Sequence, residues 1–95
     1  LGMTYTRYRI HTQNHPSLAR MVVRAGFEGF SIAYKTGYWQ GTEEASAVIE
    51  IISETSDTVD AHIRGLAEDI AYCFNQEEVW VEVEPTTLWK VKGAQ

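Results

Sequence analysis

One cysteine in 95 residues rules out an internal disulfide and a cysteine-built metal cluster, and a reducing, cytoplasmic setting is the expectation. Basic residues are few: eight lysines and arginines stand against thirteen carboxylates, a net charge of −5. Counterion release cannot drive tight nucleic-acid binding from such a surface, and Arg7 and Arg9 are too few to make a basic patch. No apolar run approaches the ~20 residues of a membrane span. Arg7 and Arg9 interrupt the first strand and no apolar core segment follows, so neither a secretory leader nor membrane attachment is expected. The three histidines, His11, His15 and His62, have no metal-ligand spacing: Pro16 breaks any helical register between the first two. Neither a metal nor a cofactor is expected, and no Walker-type or dinucleotide glycine motif is present.

What is there is an apolar fraction of 44%, enough for a packed core. The length sets one domain over residues 1–95, in which a monomer would bury only about 60–65% of its unfolded surface. Leu1-Gly2 ahead of Met3 read as a vector-derived remnant, and residues 86–95 as an extra strand or tail.

Residues 4–13 alternate as a strand, with Tyr8 and Ile10 on one face and Tyr5, Arg7, Arg9 and His11 on the other. Asn14-His15-Pro16 opens a helix, with Pro16 at its first position. Leu18, Met21, Val22 and Ala25 form its apolar stripe, and Gly26 ends it in the left-handed conformation. Residues 30–39 make a second strand, Gly41-Thr42-Glu43 a turn, and 45–53 a third strand that is apolar on both faces. Thr55-Ser56-Asp57 offers helix caps. Val59, Ile63, Leu66, Ala67, Ile70 and Phe74 form a long second stripe, stopped at Asn75-Gln76. Residues 77–84 form a fourth strand that Pro85 breaks, and 88–91 are apolar enough for an extra strand. The order β-α-β-β-α-β is the ferredoxin-like α+β pattern, an antiparallel sheet with both helices on one face. Trp39, Val48, Ile52 and Trp80 fall on the other face, too apolar for a free surface, so oligomerisation is expected.

Candidate site residues cluster in the central stretch. Tyr38 and Trp39 lie at a strand end, where they suit either packing between subunits or contact with a ligand. Glu43 and Glu44 follow beside the turn, as solvated carboxylates or as cleft residues. Lys35 shares a face with Trp39. Glu50 lies between isoleucines, where a carboxylate must be paired or face a wet channel. Cys73, beside Phe74, reads as packing.

The stretch Gly37-Tyr38-Trp39-Gln40-Gly41-Thr42-Glu43-Glu44, followed by the apolar strand Val48-Ile49-Glu50-Ile51-Ile52, resembles the PII/CutA-like superfamily. The resemblance runs from about Gly26 to Glu84. It implies homotrimers whose sheets face one another, with ligand clefts between subunits. Lys35, Tyr38, Trp39, Glu43, Glu44 and Glu50 then become the candidate ligand-binding set, for an adenine-nucleotide-like or S-adenosylmethionine ligand. A narrower resemblance, carried by Gly26-Phe27-Glu28-Gly29, Gly37-Tyr38-Trp39 and Glu43-Glu44, is to the phage S-adenosylmethionine lyases. It implies a reaction in which the substrate carboxylate attacks its own chain and expels methylthioadenosine, with Tyr38 and Glu44 as the catalytic candidates. Here Asn75 stands where those enzymes carry an acidic residue, and their long C-terminal extension has no counterpart. Three readings follow: a small-molecule-binding or regulatory trimer, a lyase, and a purely structural homo-oligomer.

Overall fold

The computed structural model describes residues 3–94, so the reading of Leu1-Gly2 lies outside it. Strand β1 (Tyr5–Gln13) is followed by helix α1 (Leu18–Arg24), strands β2 (Ser31–Trp39) and β3 (Thr42–Glu54), helix α2 (Asp57–Cys73) and strand β4 (Trp80–Thr86). The strands form one antiparallel sheet in the order β2-β3-β1-β4. This is the ferredoxin-like arrangement that the element order implied.

Alternation decides what the helices cover. Tyr8 and Ile10 on β1 stand opposite Ile51 and Ile49 on β3. All four are buried, together with Leu18 and Val22 of α1 and Ile63, Leu66 and Ile70 of α2. Each such side chain contributes roughly 1.5–3 kcal/mol relative to exposure.

Both helices end in the same device. Gly26 (φ 95°) and Asn75 (φ 54°) take the left-handed conformation just past α1 and α2. After α1, Gly26 N–H donates to the Val23 carbonyl and Phe27 N–H to that of Val22; after α2, Asn75 donates to Tyr72 and Gln76 to Ala71. These are paired Schellman bonds. At its start, α2 is capped by Ser56, whose hydroxyl accepts from Thr58 N–H and Val59 N–H.

The sequence-based boundaries need three corrections. Helix α1 begins at Leu18, not Pro16, because Leu18 N–H first closes a tight turn onto the His15 carbonyl. The β2–β3 turn is Gln40-Gly41, both at positive φ, so Thr42, Glu43 and Glu44 belong to β3. Two-residue hairpins favour left-handed turn residues because these match the strand twist. Pro85 lies within β4, whose start moves to Trp80; β4 is an edge strand, where the missing proline N–H has an open side to face. Residues 88–91, expected as an extra strand or a tail, form no strand in this chain.

The uncovered face is less apolar than its sequence suggested. Val48 is only 8% exposed, and a ladder of charges crosses the middle of the face. Arg7 pairs with Glu84 at 3.0 Å, Arg9 with Glu50 at 3.1 Å and His11 with Glu82 at 2.6 Å. Trp39 and Trp80 remain bare, at 57% and 62% exposure. No helix among the described residues is long and apolar enough to cross a membrane.

Candidate functional site

Strand direction brings the site together. β1 and β2 end, and β3 and β4 begin, at the same edge of the sheet. The β2–β3 hairpin, the end of β1 and the α2–β4 connection therefore meet there. The hairpin overshoots β1: its last rungs are Gly37–Glu44, Tyr38–Glu43 and Trp39–Thr42, whereas β1 stops opposite Ser46. A notch remains beside the overhang.

The notch is a cavity of about 490 Å³. Its hairpin wall carries Tyr38, Trp39 and Glu44 around Gly37, and its opposite wall is Asn75 to Glu78 with Trp80. His11 and Gln13, at the end of β1, form its floor. Gln76 fastens the far wall: its amide donates to Thr12 Oγ1 at 2.6 Å and its carbonyl accepts from Gln13 N–H at 3.4 Å. Gln13 in turn donates to Glu44 at 3.5 Å, and the Trp80 indole donates to Glu78 at 3.1 Å. Gly37 is needed for close approach, since a Cβ there would lie 3.0 Å from Ser46 Oγ.

The electrostatics have one sign. Glu44, Glu77 and Glu78 line the cavity with two tryptophans and a tyrosine, and neither lysine nor arginine does so. Such a lining favours a cation, held by carboxylates and by indole faces. Two residues below Trp80 on β4, the Glu82 carboxyl is held below its ordinary pKa, chiefly by the hydrogen bond from His11.

Of the six residues singled out in the sequence, the notch gathers Tyr38, Trp39 and Glu44. Glu43 points to the helix side of the hairpin, where the Tyr38 hydroxyl donates to it at 3.0 Å; adjacent strand residues face opposite ways. Glu50 is the paired carboxylate of the two alternatives, bonded to Arg9. Lys35 lies on the uncovered face, outside the notch, and its carbonyl accepts from Ser46. The histidines are dispersed: His11 is bonded to Glu82, His15 stacks on Phe74 at 4.2 Å and His62 meets the edge of Phe27 at 6.4 Å.

In the far wall Asn75 was noted only by its difference from the lyases, while Gln76, Glu77 and Glu78 were missed, as were His11 and Gln13. Strand parity was the available signal. In a β-α-β-β-α-β sheet the β2–β3 turn and the α2–β4 connection must emerge at the same end.

No protein-family model and no curated protein matches the sequence. Solved structures do resemble the fold. A nitrogen regulatory PII-like protein from Thiomonas intermedia K12, bound to ADP, AMP and bicarbonate, is 16% identical with a TM-score of 0.64, covering 94% of this chain and 97% of that one. A phage SAM lyase in complex with S-methyl-5'-thioadenosine is 20% identical with a TM-score of 0.62, covering 88% and 83%. A DUF3240 family protein from Shewanella baltica is 14% identical with a TM-score of 0.65, covering 97% and 100%. The fold is thus the ferredoxin-like fold of PII-like proteins and of phage SAM lyase, as the resemblance implied.

Proposed function

We propose that the chain works as a cytoplasmic homotrimer that binds a small organic cation of the S-adenosylmethionine type in the notch, at a cleft between subunits. The observation that carries this reading is the lining itself: three carboxylates and three aromatic rings around one cavity, of the size that small-molecule sites have. Within one protomer this lining repels a polyphosphate, which makes a nucleotide the poorer ligand. Trp39 and Trp80 offer faces to the sulfonium and the adenine, and Glu44 sets the charge.

A second reading makes the bound cation a substrate. Two features support it: Tyr38, Trp39 and Glu44 all line the notch, Tyr38 from the hairpin face opposite the other two, and a protein of the same fold was solved with S-methyl-5'-thioadenosine. The carboxylate oxygen of S-adenosylmethionine forms a bond to the γ-carbon as the γ-carbon–sulfur bond breaks. The electron pair leaves on sulfur, and methylthioadenosine and a lactone result with no other reactant. A charge pair is consumed, so the rate gain comes from folding the substrate into the attacking geometry. Glu44 holds the sulfonium, and Tyr38 must exchange its bond to Glu43 for one to the substrate carboxylate.

Thermal shift with S-adenosylmethionine and with ADP, alongside chromatography for methylthioadenosine, separates the readings. A binding module gains stability with S-adenosylmethionine and leaves it intact. A lyase releases methylthioadenosine, and Glu44→Gln abolishes the release. A chain stabilised by neither ligand and releasing nothing is a structural oligomer, and the notch has then been misread.

A further inference from the structure

Two surfaces that the notch does not use complement each other. The first is the free edge of β4, the outermost strand of the sheet. Its helix-side residues Val81 and Val83, with Val79 just ahead of it, line a groove of about 690 Å³ against Ile63 and Ala67 of α2, and Val83 is 59% exposed. Its other side carries Glu82 and Glu84. On that sheet face the register places Glu44, Glu50, Glu54, Glu82 and Glu84 against Arg7, Arg9 and Lys35, so carboxylates are in excess among the described residues.

The second surface is the segment after β4, Leu88-Trp89-Lys90-Val91-Lys92. It alternates like a strand yet pairs with nothing in its own protomer. Trp89 and Val91 are each 84% exposed, an unusual exposure for two apolar side chains at i and i+2. The segment does not fold back on its own β4 but runs towards β1, with Lys90 Nζ 5.4 Å from the centre of the Tyr5 ring. Its charges, Lys90 and Lys92, are both positive.

We propose that residues 88–92 of one copy add as a fifth strand to the free edge of β4 in a second copy. Trp89 and Val91 then pack on Val81 and Val83 over the groove, while Lys90 and Lys92 face Glu82 and Glu84. A period-2 pattern makes these two matches one requirement, because a strand that puts its tryptophan on the valines must put its lysines on the glutamates. The added strand also covers the exposed edge. The contact joins two different surfaces, so it repeats from copy to copy, and a three-fold rotation between copies closes it as a ring. It deepens the trimer reading by naming what holds the ring.

The test measures solution mass by light scattering for the full chain and for the double variant Trp89→Asp, Val91→Asp, both checked for folding by circular dichroism. Both side chains are exposed in the protomer, so the variant folds; its mass falls to one chain. In a Cys73→Ser background, Val83→Cys mixed with Val91→Cys gives a mixed dimer with a short bis-maleimide, whereas Val23→Cys mixed with Val91→Cys does not. An oligomer that survives the double variant and yields no mixed dimer overturns the tail contact and leaves the trimer standing. A full chain that is itself one chain in mass overturns both.

Discussion

Single residues carry more than their size suggests. Ser56 satisfies two orphan N–H groups of α2, and Ser56→Ala is expected to cost about 0.5–2 kcal/mol in urea unfolding. Gly37 keeps the hairpin closed on Ser46. Gly37→Ala pushes a methyl group into that contact and is expected to weaken S-adenosylmethionine binding more than it lowers Tm. The buried Tyr8 hydroxyl, which donates to Asp60, is pushed up to about 12, mainly by burial and then by that bond. A raised folded pKa means stability held below the ordinary tyrosine value of about 10 and lost as pH climbs through 12. Unfolding measured from pH 9 to 12 should therefore show a loss that Tyr8→Phe removes. Glu82 has the opposite sign: its depressed pKa adds stability above its ordinary range that fades as pH falls. At this scale the sequence was half legible. Tyr38, Trp39 and Glu44 stood out because aromatics beside carboxylates at a strand end are a local signal. Which of Glu43 and Glu44 faces the cleft stayed open, because face assignment depends on a turn being two residues long, and Gln40 at positive φ gives little sign of that.

Elements were more legible than residues, and for a physical reason. The stripes of α1 and α2 and the alternation of β1 and β3 are periodic, and periodicity survives small errors in boundary. What failed was non-periodic. Pro85 was read as a break, since only the finished sheet order makes β4 an edge. Residues 88–91 were left open as an extra strand or a tail, since composition sets strand propensity and not whether a partner is at hand. Asn75-Gln76 was read as the stop of α2, yet the pair positions a wall of the notch. Gln76→Ala removes two hydrogen bonds to β1. It is expected to cost roughly 1–3 kcal/mol and to raise amide exchange over residues 75–80. Asn75→Gly should be tolerated at φ 54°, whereas Asn75→Val should not.

The whole molecule is larger than its mass requires. Its radius of gyration is 14.8 Å, where a compact chain of this length has about 12 Å. Its accessible surface is 7278 Å², against about 5,500 Å² for a monomer of this mass. The overhanging hairpin and the bare tail add to this excess with exposed Tyr38, Trp39, Trp89 and Val91, and assembly is the economical way to cover both. Melting temperature is therefore expected to rise with protein concentration. The sheet order also dictates a sequence of events in time. β1 is an inner strand whose partners come late in the chain: Tyr5 stands opposite Glu54 on one side and Thr86 on the other. The β2–β3 hairpin has only local contacts to make and can close in microseconds. The β1–β3 seam can form once Glu54 is out, but the β1–β4 seam must wait until almost the whole chain has left the ribosome. A nascent chain paused within α2 therefore holds a three-stranded sheet in which β1 is an open edge and Tyr8 and Ile10 lack their cover from α2, the state in which it most needs a chaperone.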